Sequence, residues 1–166
     1  MISYSVRIFS TRMKKKVIEF LSLFSLQERM LMSLGGVDPI TIYDNIRRSV
    51  IPVYRYYGGI GFLLFKENIL IGLATIYKPN EVVASLNLLA IKPSEQKKGL
   101  GTFLLKYVFE VAKFNGIKEI KGKVVKENDK AISFYKKLNF VFSGGGDGDY
   151  LIRKRLVSST DEIIST

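Results

Sequence analysis

Two glycines one residue apart, Gly99 and Gly101, stand behind the run Gln96-Lys97-Lys98 and open an apolar helical pattern. The first amide groups of a helix have no partner inside it, and the helix dipole adds positive charge at the same end. Such a start receives an anion, phosphate for example, at a gain on the order of 1 kcal/mol per favourable charge. Lacking side chains, the two glycines let phosphate oxygens reach the backbone. The same spacing also serves a tight turn or close packing, and on spacing alone both readings stand. The dinucleotide fingerprint G-x-G-x-x-G is not met, because Leu104 occupies the third glycine position, and no P-loop is present. The chain has no Cys and no His. That excludes disulfides and thiolate metal sites, and it removes the usual neutral-pH base and the commonest zinc ligand. No metal is expected, and acid–base work falls to Tyr, carboxylates, Lys or a positioned water.

The elements that would hold these residues follow from composition and period. With 166 residues, 47% of them hydrophobic and 25% charged, the chain reads as one domain with a packed core, which excludes a disordered or fibrous protein. The expected domain is 1–157, with 158–166 as a frayed tail. A net charge of +11 asks for an anionic partner, and its sign does not choose among nucleic acid, an anionic membrane and a phosphorylated cofactor. Residues 12–26 place a basic run before an apolar one, as a signal peptide does. Glu19 interrupts the run, no small-residue cleavage site follows, and Val17, Phe20, Leu21 and Phe24 fit one helical face. The protein is therefore expected to be cytoplasmic, with no membrane partner.

In chain order the pattern predicts a strand at 4–9, a helix over 11–33 ending at Gly35-Gly36, and a second helix from the Asp38-Pro39 cap to Val50, stopped by Pro52. Apolar strands at 60–65, 69–77 and 82–91 follow, turned at residues 66–68 and at Pro79-Asn80 and lying side by side in a sheet covered on both faces. A helix with Leu100, Leu104, Tyr107, Val108 and Val111 on one stripe runs to Asn115-Gly116. Then come a strand at 117–125, a helix at 128–138 capped by Asn128, and a hairpin of 139–143 with 150–157.

The run Gln96-Lys97-Lys98-Gly99-Leu100-Gly101 resembles the [Q/R]-x-x-G-x-[G/A] signature of the GNAT superfamily of N-acetyltransferases, and it follows a strand ending Leu89-Ala90-Ile91 as it does there. Further on, Asn128-Asp129-Lys130-Ala131-Ile132-Ser133-Phe134-Tyr135 and the following residues to Phe140 are similar to that family's N-x-x-A-x-x-x-Y-x-x-x-G-F element. Two motifs in order are more specific than either, and the close match covers residues 86–142. The resemblance implies a mixed α/β domain of GNAT type, in which a central, largely antiparallel sheet of six to seven strands is flanked by about four helices. It also implies an acyltransferase that moves the acetyl group of acetyl-CoA to a primary amine. On this resemblance the backbone amides of Lys97, Lys98, Gly99, Leu100, Gly101 and Thr102, with Gln96 ahead of them, take the pyrophosphate. Leu89, Ala90 and Ile91 pair with the pantetheine arm, which Asn128 also touches. Tyr135 is the general acid for the departing thiolate. By pattern alone Asn128 is a helix cap, Tyr135 a half-buried core aromatic, and Lys97 and Lys98 solvated charges.

Two positions depart from the family pattern. Asn139 replaces the glycine of the G-F pair, which costs little because Asn tolerates the left-handed backbone region. Lys123 stands where some relatives carry a glutamate base. Candidates for the base are Glu81, or a water held by Ser85 or Asn87, which by alternation share a strand face with Leu89, and Glu127, which beside Asn128 also reads as a simple loop carboxylate. Direct attack with water relaying the proton is an equal contender. A bulge of this strand near Ala90 would turn an amide toward the thioester carbonyl. The acceptor would enter between the first helices and the last hairpin, with Tyr54, Tyr56 and Tyr57 as a wall or simply as cover for the core. Acceptors stay open among protein α-amino or lysine groups, polyamines and small amines. A strongly cationic acceptor is disfavoured, since no acidic patch is evident, and a homodimer is compatible with the pattern. The rival readings are a catalytically silent CoA-binding domain and a basic nucleic-acid-binding module on the same fold.

Overall fold

The apolar runs in the middle of the chain pair edge to edge. The structure, a computed structural model, describes residues 2–32, 38–50, 58–78 and 80–156. Seven strands, β1 (Tyr4–Ile8), β2 (Gly59–Lys66), β3 (Ile69–Tyr77), β4 (Val83–Ile91), β5 (Glu119–Val125), β6 (Val141–Gly144) and β7 (Asp149–Arg155), form one sheet in the order β1-β2-β3-β4-β5-β7-β6. Every neighbouring pair is antiparallel except β4 with β5. Five helices are described: α1 (Lys14–Leu21), α2 (Leu26–Met30), α3 (Pro39–Val50), α4 (Leu100–Phe114) and α5 (Asp129–Lys137).

One helix was expected over 11–33, and the chain instead forms a 3-10 turn at Thr11–Met13, then α1 and α2. The break has a local cause. Ser25 Oγ accepts from the Glu28 amide at 3.2 Å, while Glu28 Oε2 accepts from the Ser25 amide at 2.8 Å. This reciprocal capping box starts a new helix at Leu26. The signal-like segment is part of the core: Val17, Phe20, Leu21 and Phe24 are all buried. Asp38 caps α3, its Oδ1 accepting from the amides of Ile40 and Thr41 at 3.1 and 2.8 Å. Gly35, Gly36, Pro52, the tyrosines at 54, 56 and 57, Pro79 and the tail at 158–166 lie outside the described residues.

Each face of the sheet carries its own apolar core. On one face α4 and α5 pack over Phe62, Leu64, Ala74, Leu86, Ile120 and Ile152. On the other, α1 and α3 pack over Leu63, Phe65, Leu73, Leu88 and Ala90. The two-sided cover expected for the three consecutive apolar strands is present over β2, β3 and β4; among the described residues the second cover does not extend past β4. On α4 the buried stripe is Leu100, Leu104, Leu105, Val108, Phe109 and Ala112, whereas Tyr107, placed on it by periodicity, is 41% exposed.

Candidate active site

β4 and β5 run parallel, and their register extends only from Val83 opposite Glu119 to Leu86 opposite Gly122. Beyond that row β4 continues to Ile91, still paired with β3 as far as Gly72, while β5 pairs only with β7. The two strands part after Leu86 and Gly122, and among the described residues the β4 backbone over residues 87–91 has no strand partner on its β5 side, where Ile91 O accepts from the Gln96 side chain. An extended ligand can add to such an edge as a strand does.

Where β4 ends, a 3-10 turn at Pro93–Glu95 leads into α4. The Gln96 side chain donates from Nε2 to Ile91 O at 3.0 Å, so this residue ties the loop to the strand end. Glu95 accepts from Lys66 Nζ at 3.2 Å and from Lys98 Nζ at 3.0 Å, and those two ammonium groups hold its carboxyl below the ordinary range. Lys97 adopts φ 61° and Gly99 φ 78°, both left-handed. For lysine that costs on the order of 1 kcal/mol, whereas glycine carries no such penalty. The first backbone bond of α4 is Phe103 N–H to Gly99 O at 3.0 Å, which leaves the Leu100, Gly101 and Thr102 amides as first-turn donors. A Cβ on Gly99 would meet nothing within 4 Å, so the turn is open on that side. One on Gly101 would lie 3.3 Å from Phe134 Cε2 and 3.7 Å from Ile91 Cγ1. Gly101 therefore serves close packing of α5 against the start of α4, a reading its spacing had left open.

That contact brings the two motifs together. Phe134 is followed by Tyr135, whose ring meets Phe134 at 5.2 Å and Phe140 at 5.1 Å, both edge-on. Tyr135 is 9% exposed, and burial raises its hydroxyl well above the ordinary tyrosine value, which keeps it protonated. Asn128 caps α5, its Oδ1 accepting from the Ala131 amide at 3.1 Å. Asn139 sits at φ 58°, in the left-handed conformation foreseen for it.

The other base candidates are spread along β4. Glu81 is exposed, two residues ahead of the strand. Ile91 is ten residues away, on the order of 30 Å of nearly extended chain, so Glu81 is not brought to the α4 end. Ser85 and Asn87 are half-buried at the point where β4 and β5 part. The bulge of β4 lies there too, between Thr75 paired with Leu88 and Ile76 paired with Leu86, and not near Ala90. An inserted residue shifts the alternation. Ala84 and Leu86 belong to the α4 side, Leu88 and Ala90 to the α1 and α3 side, and Leu89 packs on the α4 side again. Leu89 thus faces away from Ser85, contrary to simple alternation. Sequence reasoning also passed over Thr75, 1% exposed on β3 opposite the bulge, whose Oγ1 has no hydrogen-bond partner among the described residues. A depression of about 440 Å³ beside α4 is lined by Phe103, Lys106, Tyr107, Phe109 and Glu110 and includes none of the foreseen site residues. Among the described residues, no helix is long and apolar enough to cross a membrane.

A parted parallel strand pair, with a glycine-opened helix start at its mouth and a buried tyrosine on the next helix, is the arrangement in which the two resembling motifs meet. The sequence profile of the Acetyltransferase (GNAT) family matches residues 23–140, and the chain belongs to that family. It is an acyltransferase with acetyl-CoA as its acetyl donor. No curated protein matches it by sequence. Solved structures share its fold at low identity. The PaiA N-acetyltransferase of Thermoplasma acidophilum in complex with coenzyme A is 22% identical, with a TM-score of 0.73 over 92% of this chain and 99% of that one. The GNAT domain of S. lividans PAT is 15% identical, with a TM-score of 0.78 over 91% and 89%. The ribosomal-protein-S18-alanine N-acetyltransferase of Escherichia coli is 17% identical, with a TM-score of 0.66 over 95% and 96%.

Proposed function

We infer that the protein transfers acetyl from acetyl-CoA to a primary amine, with the parting of β4 from β5 as the channel in which donor and acceptor meet. The observation that carries this reading is the β4 edge without a described strand partner, leading straight to the open Gly99 turn. The residues fit the donor: unpartnered first-turn amides suit a diphosphate, and a free strand edge suits an amide-bearing pantetheine arm. When bound, acetyl-CoA supplies an activated acetyl thioester. The amides from Lys97 to Thr102 hold its diphosphate, and the backbone at Leu89, Ala90 and Ile91 aligns its arm. The Asn128 side chain, already capping α5, has its Nδ2 left as a donor toward the same arm. Tyr135 stays protonated through the neutral range and gives its proton to the departing sulfur. Ser85 and Asn87 hold the water that receives the proton lost by the amine, so no carboxylate base is required.

Calorimetry with acetyl-CoA, followed by a screen of peptide and small-amine acceptors for thiol release, tests the reading. Micromolar CoA binding with transfer to one acceptor class is the expected result. Failure to bind CoA would overturn it.

A further inference from the structure

Among the described residues, nothing packs on the part of the sheet face over β5, β6 and β7 that continues the one α1 and α3 cover over β2, β3 and β4. Core-facing residues there are Ile120, Gly122 and Val124 on β5 and Ile152 on β7, so the alternate residues point to the uncovered side. These include Lys121, Lys123, Arg153 and Arg155, all exposed. Lys121 stands directly opposite Arg153, and Ser85 of β4 is the next residue in that row. Like charges placed opposite one another across a sheet destabilise it, and a bound anion removes that cost. Two described carboxylates share this face. Glu119 lies 3.4 Å from Lys121, and Asp149 stands opposite Val125, two residues beyond Lys123. No described carboxylate lies within 4 Å of Lys123, Arg153 or Arg155.

We propose that this face binds an acidic peptide segment, the residues flanking the amine that is acetylated. The proposal rests on the acetyl-transfer reading and names its acceptor class: a polypeptide with Asp or Glu beside the reactive amine. Three observations favour a peptide. From Lys123 to Arg155 the patch runs four residues along the strands and one strand across, roughly 14 Å, about the length of four extended residues. Exposed apolar side chains, Val141 opposite Arg153 and Leu151 opposite Lys123, lie among the cations and give side-chain contacts as well as charge. The row Ser85–Lys121–Arg153 places the patch beside the parting strands, where the amine would lie.

The test pairs two labelled peptides of equal length, one with acidic and one with neutral residues beside a free amine. Binding to the CoA-loaded protein is read by fluorescence anisotropy, and transfer by thiol release. The acidic peptide is expected to bind at least about ten-fold tighter at low salt and to lose that advantage as salt rises. Lys123→Glu with Arg153→Glu should reverse the preference, and the neutral pair Lys123→Gln with Arg153→Gln should abolish it, both with CoA affinity unchanged. Equal binding of the two peptides, or a preference indifferent to both variant pairs, overturns the proposal. So does duplex DNA binding that the variants abolish when no peptide preference is found. Salt-sensitive, variant-sensitive binding without transfer would support the surface and refute the acetyl-transfer reading, so the two failures are distinct.

Discussion

Replacing Tyr135 by phenylalanine removes one oxygen and leaves the ring, which Phe134 and Phe140 hold edge-on at 5.2 and 5.1 Å. The hydroxyl makes no hydrogen bond to another described residue, so the variant loses no internal bond. Its oxygen is not among the buried polar atoms left without a partner, so stability at neutral pH should stay level to within about 0.5 kcal/mol. The effect on turnover is of another order. A positioned general acid contributes ~10²–10⁴ in rate, about 3–5 kcal/mol of barrier, and kcat should fall by that factor while acetyl-CoA affinity holds within roughly two-fold.

The pH dependence follows from the same burial. The folded protein holds the Tyr135 proton more tightly than the unfolded chain, whose tyrosine ionises near its ordinary value of 10.0. The associated stability is therefore complete below pH 10 and is lost as pH rises from there. Wild-type kcat should show no tyrosine limb at neutral pH, and the melting temperature of Tyr135→Phe, level with the wild type there, should stand above it in the alkaline range. Steady-state thiol release and thermal melts from pH 7 to about 11 read both effects. A variant whose kcat matches the wild type across that range would refute the proton-donor role, whatever its stability.

Gly99→Ala meets no neighbour in the free protein, so its stability cost is the left-handed backbone alone, about 1–2 kcal/mol by thermal melt. Calorimetry should show weakened CoA binding, and an unchanged affinity would remove the diphosphate from this turn. Gly101→Leu must displace Phe134 and through it Tyr135, so it should depress kcat more than Gly101→Ala does, in a two-variant kinetic comparison. Glu95→Gln releases Lys66 and Lys98, and its melting temperature should fall below that of the wild type at neutral pH. Because the Glu95 carboxyl is held below its ordinary 4.5, the gap should close as pH drops through that value and below it. Thr75→Val removes a buried hydroxyl that has no partner among the described residues and should raise stability by about 1 kcal/mol, measured by denaturant melts.

Strands and helices whose signal is one apolar period were legible to within a residue or two, because burial on one face requires that period: β3 at Ile69–Tyr77 and α4 ending at Phe114 are instances. The capping residues were equally readable at Asp38 and Asn128, whose short side chains have a single use at a helix start. The split of the first helix was written in Ser25 and Glu28 but hidden by an apolar stripe that runs through the break. Gly101 could not be assigned from spacing, since its neighbour Phe134 is 33 residues away and only the fold brings it close. A basic face was open from the lysine excess over residues 92–126, but its place was not, since register alone puts Lys121 beside Arg153.

The bulge in β4 shows what periodicity cannot supply and what the fold gains from it. Strict alternation would send Ser85 and Leu89 to the same side, and one strand face would then serve acceptor and donor alike. Inserting a residue between Leu86 and Leu88 gives the strand two faces in succession. Ahead of the insertion, Ser85 points to the side where the basic patch lies. Beyond it, Leu89 and Ile91 turn to the α4 side, where Phe134 and the Gly101 turn close on the strand end. The change of parity falls at the row where β4 leaves β5, so the strand changes face where a ligand passing between the two strands would itself cross the sheet.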